Sequence, residues 1–278
     1  MFKKKKSPLR APKLVRRRRQ ILGFKITMII VLVIGLVCGA IALTRIAALQ
    51  ITDVEVKGAV AVESAEIIQT ANDYLYGNYF YLFPHRNRYI YPKQVIEHAL
   101  HDRFKRVQDV DIKQRGQILT ITITERSPAY LWCRGSDVHS TEACYFMDKQ
   151  GFVYAEAPIF SGKTFFSFYG VLPDEPIGKT FLTPEQFDYV ADFAAYLNSK
   201  QLDVYALSAS LDGTYTIYMN RGGKLIVSAN QTVSELVPIV ETLLQNNQIQ
   251  STSTALDYVD LRFGNKVFFK TNGDKPVE

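Results

Sequence analysis

The chain has 278 residues, 47% of them hydrophobic and 22% charged, which excludes a globally disordered protein and leaves material for a real core. Its net charge of +6 is unevenly placed: residues 1–45 hold twelve Lys/Arg and no Asp/Glu, whereas residues 46–278 hold 21 Lys/Arg against 27 Asp/Glu, a net of −6. The basicity belongs to one short end and the body is mildly acidic, which argues against a phosphate-binding surface as its main purpose.

That basic end (Lys3–Lys6, Arg10, Lys13, Arg16–Arg19, Lys25) precedes nineteen uncharged residues, Ile26–Thr44. At 1.5 Å per residue they span about 28 Å, close to the hydrocarbon thickness of a bilayer. Eleven are Ile, Leu or Val, which favours insertion by something on the order of 3 to 7 kcal/mol. A cleavable secretory signal is the rival reading, since small residues near Cys38–Ala42 suit a cleavage site. The length of the apolar stretch and of the basic region before it favour an anchor. The positive charges before the span, with only Arg45 just after it, place the N-terminus in the cytoplasm and the rest of the chain outside, on the cytoplasmic membrane.

Outside the span, Ile51–Gly58 alternates as a half-exposed strand ended by glycine. A helix follows, capped by Ser64, with Ile67, Ile68, Ala71, Tyr74 and Leu75 on one face and Gly77 as its stop. Pro92 opens a second helix whose apolar face is Val95, Ile96, Ala99, Leu100 and Phe104. Strands Val107–Gln114 and Gln117–Glu125 then form a hairpin about Arg115-Gly116. This β-α-α-β-β order is that of a POTRA domain, with two helices on one face of a three-stranded sheet and a free strand edge.

From Ser127 the chain becomes a series of short aromatic runs, Tyr130–Cys133, Cys144–Met147, Gly151–Ala155 and Thr164–Phe168, broken by turn residues and predicted to form an antiparallel sheet. Cys133 and Cys144 flank a polar stretch between two strands of one hairpin. A disulfide across it, two free thiols, and a zinc site completed by His139 are the alternatives, the last a weak signal. Thr183-Pro184-Glu185-Gln186 has capping-box spacing and opens a helix with Phe187, Val190, Ala194 and Leu197 inward. Strands Val204–Ser210, Thr214–Met219 and Lys224–Ala229 follow, then a helix over Glu235–Leu244 in which Pro238 is awkward. Two last strands, LDYVDLRF and KVFFK, turn about Gly264-Asn265.

Motifs for catalysis are not apparent. His98 and His101 are three apart on a helix, but the preceding Glu97 does not make an HExxH arrangement, and no phosphate loop, G-x-S-x-G elbow or S-x-x-K is present. The expectation is a non-enzyme without cofactor or metal, acting on neither nucleic acid nor small-molecule substrate.

Three stretches together resemble the FtsQ/DivIB family of bacterial cell-division proteins: the anchor and POTRA order with its opening VEVKG; ITITERSPAYLW leading to CYFMDKQGFVY, similar to that family's Glu-Arg-x-Pro joint and Asp-x-x-Gly turn; and YVDLRFGNKVFF, similar to its terminal strands. The resemblance implies a basic cytoplasmic tail (1–25), a transmembrane helix (26–44), a POTRA domain (50–127), a mainly antiparallel C-terminal β domain with covering helices (128–271) and a tail (272–278). It implies a non-catalytic divisome scaffold at the division septum. Its partners would be FtsB/DivIC-like and FtsL-like proteins, bound through Tyr258, Asp260, Arg262, Phe263, Asn265, Lys266 and Val267. This chain has Phe263 where the family often has Tyr, and Lys266 where a small residue is usual. Strand alternation puts Tyr258, Asp260 and Arg262 on one face and Val259, Leu261 and Phe263 on the other, and one face suits a core. Arg262 and Phe263 are residue types that anchor interfaces, the alternative being an Asp260/Arg262 surface pair beside an ordinary core Phe263. The alternative function is that of a membrane-tethered POTRA chaperone for translocating polypeptides.

Overall fold

The computed structural model describes residues 12–139, 142–160, 162–245, 256–264 and 266–271. The tail at 272–278 and the first eleven residues of the basic end lie outside this set. The chain divides into two compact units, one of Met1–Asp102 with Asp109–Ile123 and the other of Arg103–Gln108 with Thr124–Glu278.

The first unit begins with helix α1 (Pro12–Thr44). It starts well before the apolar span, because the basic residues ahead of it are good helix formers with no Gly or Pro among them until Gly23. Its uncharged part is exposed except at the half-buried Ile41 and Thr44, and it is long and apolar enough to cross a membrane. Beyond it come β1 (Asp53–Lys57), α2 (Ser64–Leu75), a small hairpin of β2 (Asn78–Tyr79) and β3 (Phe83–Pro84), α3 (Lys93–Arg103), β4 (Val107–Arg115) and β5 (Ile118–Glu125). The sheet order is β1-β5-β4, with β1 parallel to β5. Gly58 ends β1 at φ 80°, and a Cβ there would come within 2.3 Å of Ile123 O, so only glycine fits.

Ile67, Ala71 and Leu75 of α2, Ile96 and Leu100 of α3, and Leu119, Ile121 and Ile123 of β5 are the buried apolar residues of this unit's helices and central strand. Three local expectations change. Ser64 is the first helical residue and not the cap; Glu63 holds the N-cap without a side-chain bond. Tyr74 and Val95 are exposed, because each lies at the rim of its helix's apolar stripe, and Ile96 and Leu100 alone carry α3's buried face. The β2–β3 hairpin is too short to leave a periodic signal.

The second unit is a nine-stranded sheet in the order β14-β13-β12-β11-β10-β9-β6-β7-β8. Its strands are β6 (Tyr130–Cys133), β7 (Cys144–Met147), β8 (Val153–Glu156), β9 (Ser167–Gly170), β10 (Val204–Ala209), β11 (Thr214–Met219), β12 (Lys224–Ser228), β13 (Leu256–Phe263) and β14 (Lys266–Thr271). Helices α4 (Pro184–Ser199) and α5 (Val233–Gln245) contribute to the main core, where Phe187, Phe193 and Leu197 of α4 and Leu236 and Val240 of α5 join Trp132, Phe168, Leu207, Ile217 and Leu261 of the sheet. A smaller cluster of Leu131, Cys133, Tyr169 and Ala206 is flanked by Phe146, Phe160 and Phe165. The expected capping box is present: Gln186 N–H donates to Thr183 Oγ1 and Thr183 N–H to Gln186 Oε1, with Pro184 in the first turn. Pro238 sits inside α5, past its first turn.

The sheet is mixed: five of its eight strand pairings are antiparallel and three are parallel. β9 runs parallel to both β6 and β10, and β12 runs parallel to β13. Parallel neighbours need a long crossover, and α4 between β9 and β10 and α5 between β12 and β13 supply it. Alternation of side chains is the same in either direction, so the sequence pattern gives no sign of the three parallel pairings, whereas β10, β11 and β12 do pair antiparallel in chain order.

Cys133 and Cys144 are directly opposite in the β6–β7 pair and joined by a disulfide, their Cα atoms 4.0 Å apart. An N-terminal apolar helix, as signal or anchor, together with this disulfide suggests a membrane-anchored or secreted protein with its folded part outside the cytoplasm.

Candidate functional site

The residues singled out near the C-terminus fall on β13 and β14, and the two strands have different situations. β13 is interior: it pairs in parallel with β12 through Lys224↔Tyr258, Leu225↔Val259 and Ile226↔Asp260, and antiparallel with β14 through Val259↔Phe269 and Asp260↔Phe268. β14 is terminal, and among the described residues no strand pairs with its outer side. The available border is therefore Lys266–Thr271 and not the strand bearing Tyr258, Asp260 and Arg262.

Asp260 and Arg262 do form a pair. The guanidinium donates Nε to Oδ1 at 2.9 Å and Nη2 to Oδ2 at 2.7 Å, and the Arg262 backbone N–H donates to Oδ1 at 3.1 Å. Nη1 also reaches Thr214 Oγ1 at 3.3 Å. The pair is less superficial than alternation predicts, since Asp260 is only 6% exposed. Burial pushes its carboxyl up, but the hydrogen bonds and charge of Arg262 outweigh this and hold it below the ordinary carboxylate range. Much of what Arg262 offers is consumed inside the molecule.

Phe263 is 53% exposed and so is not the ordinary core phenylalanine that is the alternative to an interface anchor. β12 pairing ends at Asp260, and the register to β14 shifts between Asp260 and Phe263, so the end of β13 has run past its cover. Phe263 instead meets Phe268 edge-on, with centroids 5.3 Å apart. Val267 is half-buried and packs against the main core, while Lys266, Phe268, Phe269 and Lys270 are exposed. Tyr258 is half-buried, and Asn265 lies outside the described residues. Phe268 and Phe269 escape the sequence-based selection, although two adjacent phenylalanines on a strand, one for each face, were the available sign.

The opposite border of the sheet is treated differently. On β8, Val153 N–H donates to Lys179 O at 2.9 Å and Gly178 N–H donates to Val153 O at 2.7 Å, so a loop covers the start of that edge. β14 has Lys266 and Lys270 flanking a β-prone Val-Phe-Phe run. An edge strand with exposed phenylalanines is a template for another chain unless something occupies it.

The two motifs at the head of this unit meet. Arg126 Nη1 donates to Asp148 Oδ2, its Nε to Lys105 O at 3.3 Å, and its guanidinium lies 4.2 Å from the centroid of the Phe152 ring. Asp148, 4% exposed, also accepts the backbone N–H groups of Gln150 and Phe152 at 2.9 and 3.0 Å. This is a structural lock between the strand entry and the Asp148–Gly151 turn, with no substrate geometry about it. Among the described residues no three His, Cys, Asp or Glu side chains gather as a metal site, and the Cys133 and Cys144 sulfurs are engaged with each other.

The fold class is thus α+β, with an apolar N-terminal helix, a small mixed β-α unit and a large mixed sheet with helices. No protein-family model matches the chain, and no curated protein matches it significantly.

Proposed function

We propose that the protein is a non-catalytic, single-span membrane scaffold of the FtsQ/DivIB type, its first unit a POTRA domain and its second a partner-binding β domain. In this reading the chain acts at the division septum. It holds membrane-anchored coiled-coil partners of the FtsB/DivIC and FtsL kind by adding a strand of the partner to β14. The observation that supports the reading is the contrast between the two sheet borders, β8 bonded at its start by the chain's own loop and β14 left with exposed phenylalanines. Backbone pairing supplies affinity in such a mode, and side chains at alternate positions supply register. Phe268 and Phe269 are the anchors of the kind that dominate interfaces, with Phe263 extending the patch on the Phe268 side.

The test is capture of FtsB-like and FtsL-like proteins by the full chain in detergent. The double variant Phe268→Lys, Phe269→Lys removes the anchors at half-exposed positions, so unfolding should be unchanged while capture falls at least about tenfold. Unchanged capture contradicts the reading. Capture of unfolded polypeptide instead of the coiled-coil partners would favour a tethered chaperone.

A further inference from the structure

Tyr74–Tyr91 has a composition unlike the rest of the chain. Eight of its eighteen residues are aromatic against 12% overall, and it contains Arg86 and Arg88 but no Asp or Glu. Its centre is the β2–β3 hairpin, where Leu82 N–H donates to Tyr79 O at 3.0 Å and the two residues between, Phe80 and Tyr81, have φ of 51° and 62°. Positive φ at both central positions is the geometry for which Asn-Gly is the favoured pair. Here two bulky aromatics adopt it, 85% and 92% exposed, so neither local backbone preference nor core packing accounts for their presence. Something outside the molecule does.

The position of the hairpin says what. Arg45, the first residue past α1, donates Nη2 to Leu82 O at 3.4 Å, and Asn87, 2% exposed, donates Nδ2 to Thr44 O at 2.9 Å. Ile51 N–H bonds Arg86 O, and Arg88 N–H bonds Leu49 O, tying the segment to the chain just beyond the helix. The hairpin is therefore held at the level of the last turn of α1, where a spanning helix leaves the hydrocarbon. Tyr, Trp and Phe side chains with neighbouring Arg are the composition of that interfacial layer: apolar rings take the acyl boundary, hydroxyls take water and headgroups, and guanidinium groups face phosphate. Arg86 and Arg88 stack on Tyr76 and Tyr89 at 4.6 and 5.2 Å from the ring centroids, which keeps cation and ring together as one amphipathic surface.

We propose that the β2–β3 hairpin is a second membrane contact, with Phe80 and Tyr81 seated in the headgroup region of the outer leaflet and Tyr76, Leu82 and Tyr89 beside them. The contact rests on the anchor reading of α1 and is independent of the partner assigned to β14. It fixes the first unit against the bilayer at two points instead of letting it swing on a single stalk.

Trp132 is the chain's single tryptophan and is buried, so it gives a constant background. Full-length chains carrying Phe80→Trp, Tyr81→Trp or Phe24→Trp are reconstituted into phosphatidylcholine/phosphatidylglycerol vesicles with lipids brominated near the headgroup. The expected result is a blue-shifted emission at positions 80 and 81 and a loss of intensity comparable with that at position 24, on α1 beside the cytoplasmic end of the span. Quenching at 24 with water-like, unquenched emission at 80 and 81 overturns the hairpin contact and leaves the anchor standing. A blue shift at 80 or 81 without quenching means that protein, not lipid, covers the tip, and also overturns it. No quenching at any of the three positions refutes the anchor and the contact with it.

Discussion

At the scale of the residue, the Asp260–Arg262 pair is the most consequential electrostatic contact near the proposed interface, and its effect is on folding. Removing the guanidinium with Arg262→Ala leaves a carboxylate that is 6% exposed without its strongest partner, which should cost about 1–3 kcal/mol in urea unfolding at neutral pH. The pH dependence follows from the sign of the shift. Asp260 titrates lower folded than unfolded, so its contribution is fully present above the unfolded value of about 4 and disappears as pH falls through the lower folded value. The stability gap between wild type and Arg262→Ala should therefore be full at neutral pH and narrow as pH falls through the carboxylate range, because burial without Arg262 raises the variant's carboxyl while the wild type's stays low. A gap that widened on acidification would show that the pair is not what the residue does. A charge reversal at Arg262 is for the same reason a poor probe of partner binding, because its loss of capture would be mixed with loss of fold.

Elements carry the next set of expectations. Thr183→Ala removes one half of the α4 capping box and should lower stability by about 0.5–2 kcal/mol, read from the urea midpoint. In the β2–β3 turn, Phe80→Asn with Tyr81→Gly supplies the residues that its dihedrals favour and should raise thermal stability in detergent by about 1–3 kcal/mol; a fall would mean the aromatics pack within the fold after all. These two elements also mark what could be read in advance. The α4 cap, the Arg115-Gly116 turn and the C-terminal hairpin are written in local residue chemistry, and their elements stand where that chemistry places them. Strand direction is not local. Pairing β9 with β6 and β10 depends on the path of α4 and of the β7–β8 hairpin, which leave the alternation of β9 itself unaltered. Alternation could not by itself choose between interface and core for Phe263 for a related reason, since that depends on where a neighbouring strand stops.

For the whole molecule, the proposed function and the elements that stabilise the second unit fall at different parts of one sheet. The Cys133–Cys144 link closes a short loop, with a sequence separation of 11, and in the chain-entropy account contributes about 3 kcal/mol; reduction should lower the urea midpoint accordingly without abolishing the fold. The β8 border, covered at its start, and the helix-packed core are the settled part of the second unit, and β14 is the unsettled one. Amide hydrogen exchange on the full chain, with and without FtsB-like and FtsL-like partners, tests this division directly. The account predicts that partner slows exchange in Lys266–Thr271 while β8 is unaffected. A partner that binds with β14 exchange unchanged would contradict it.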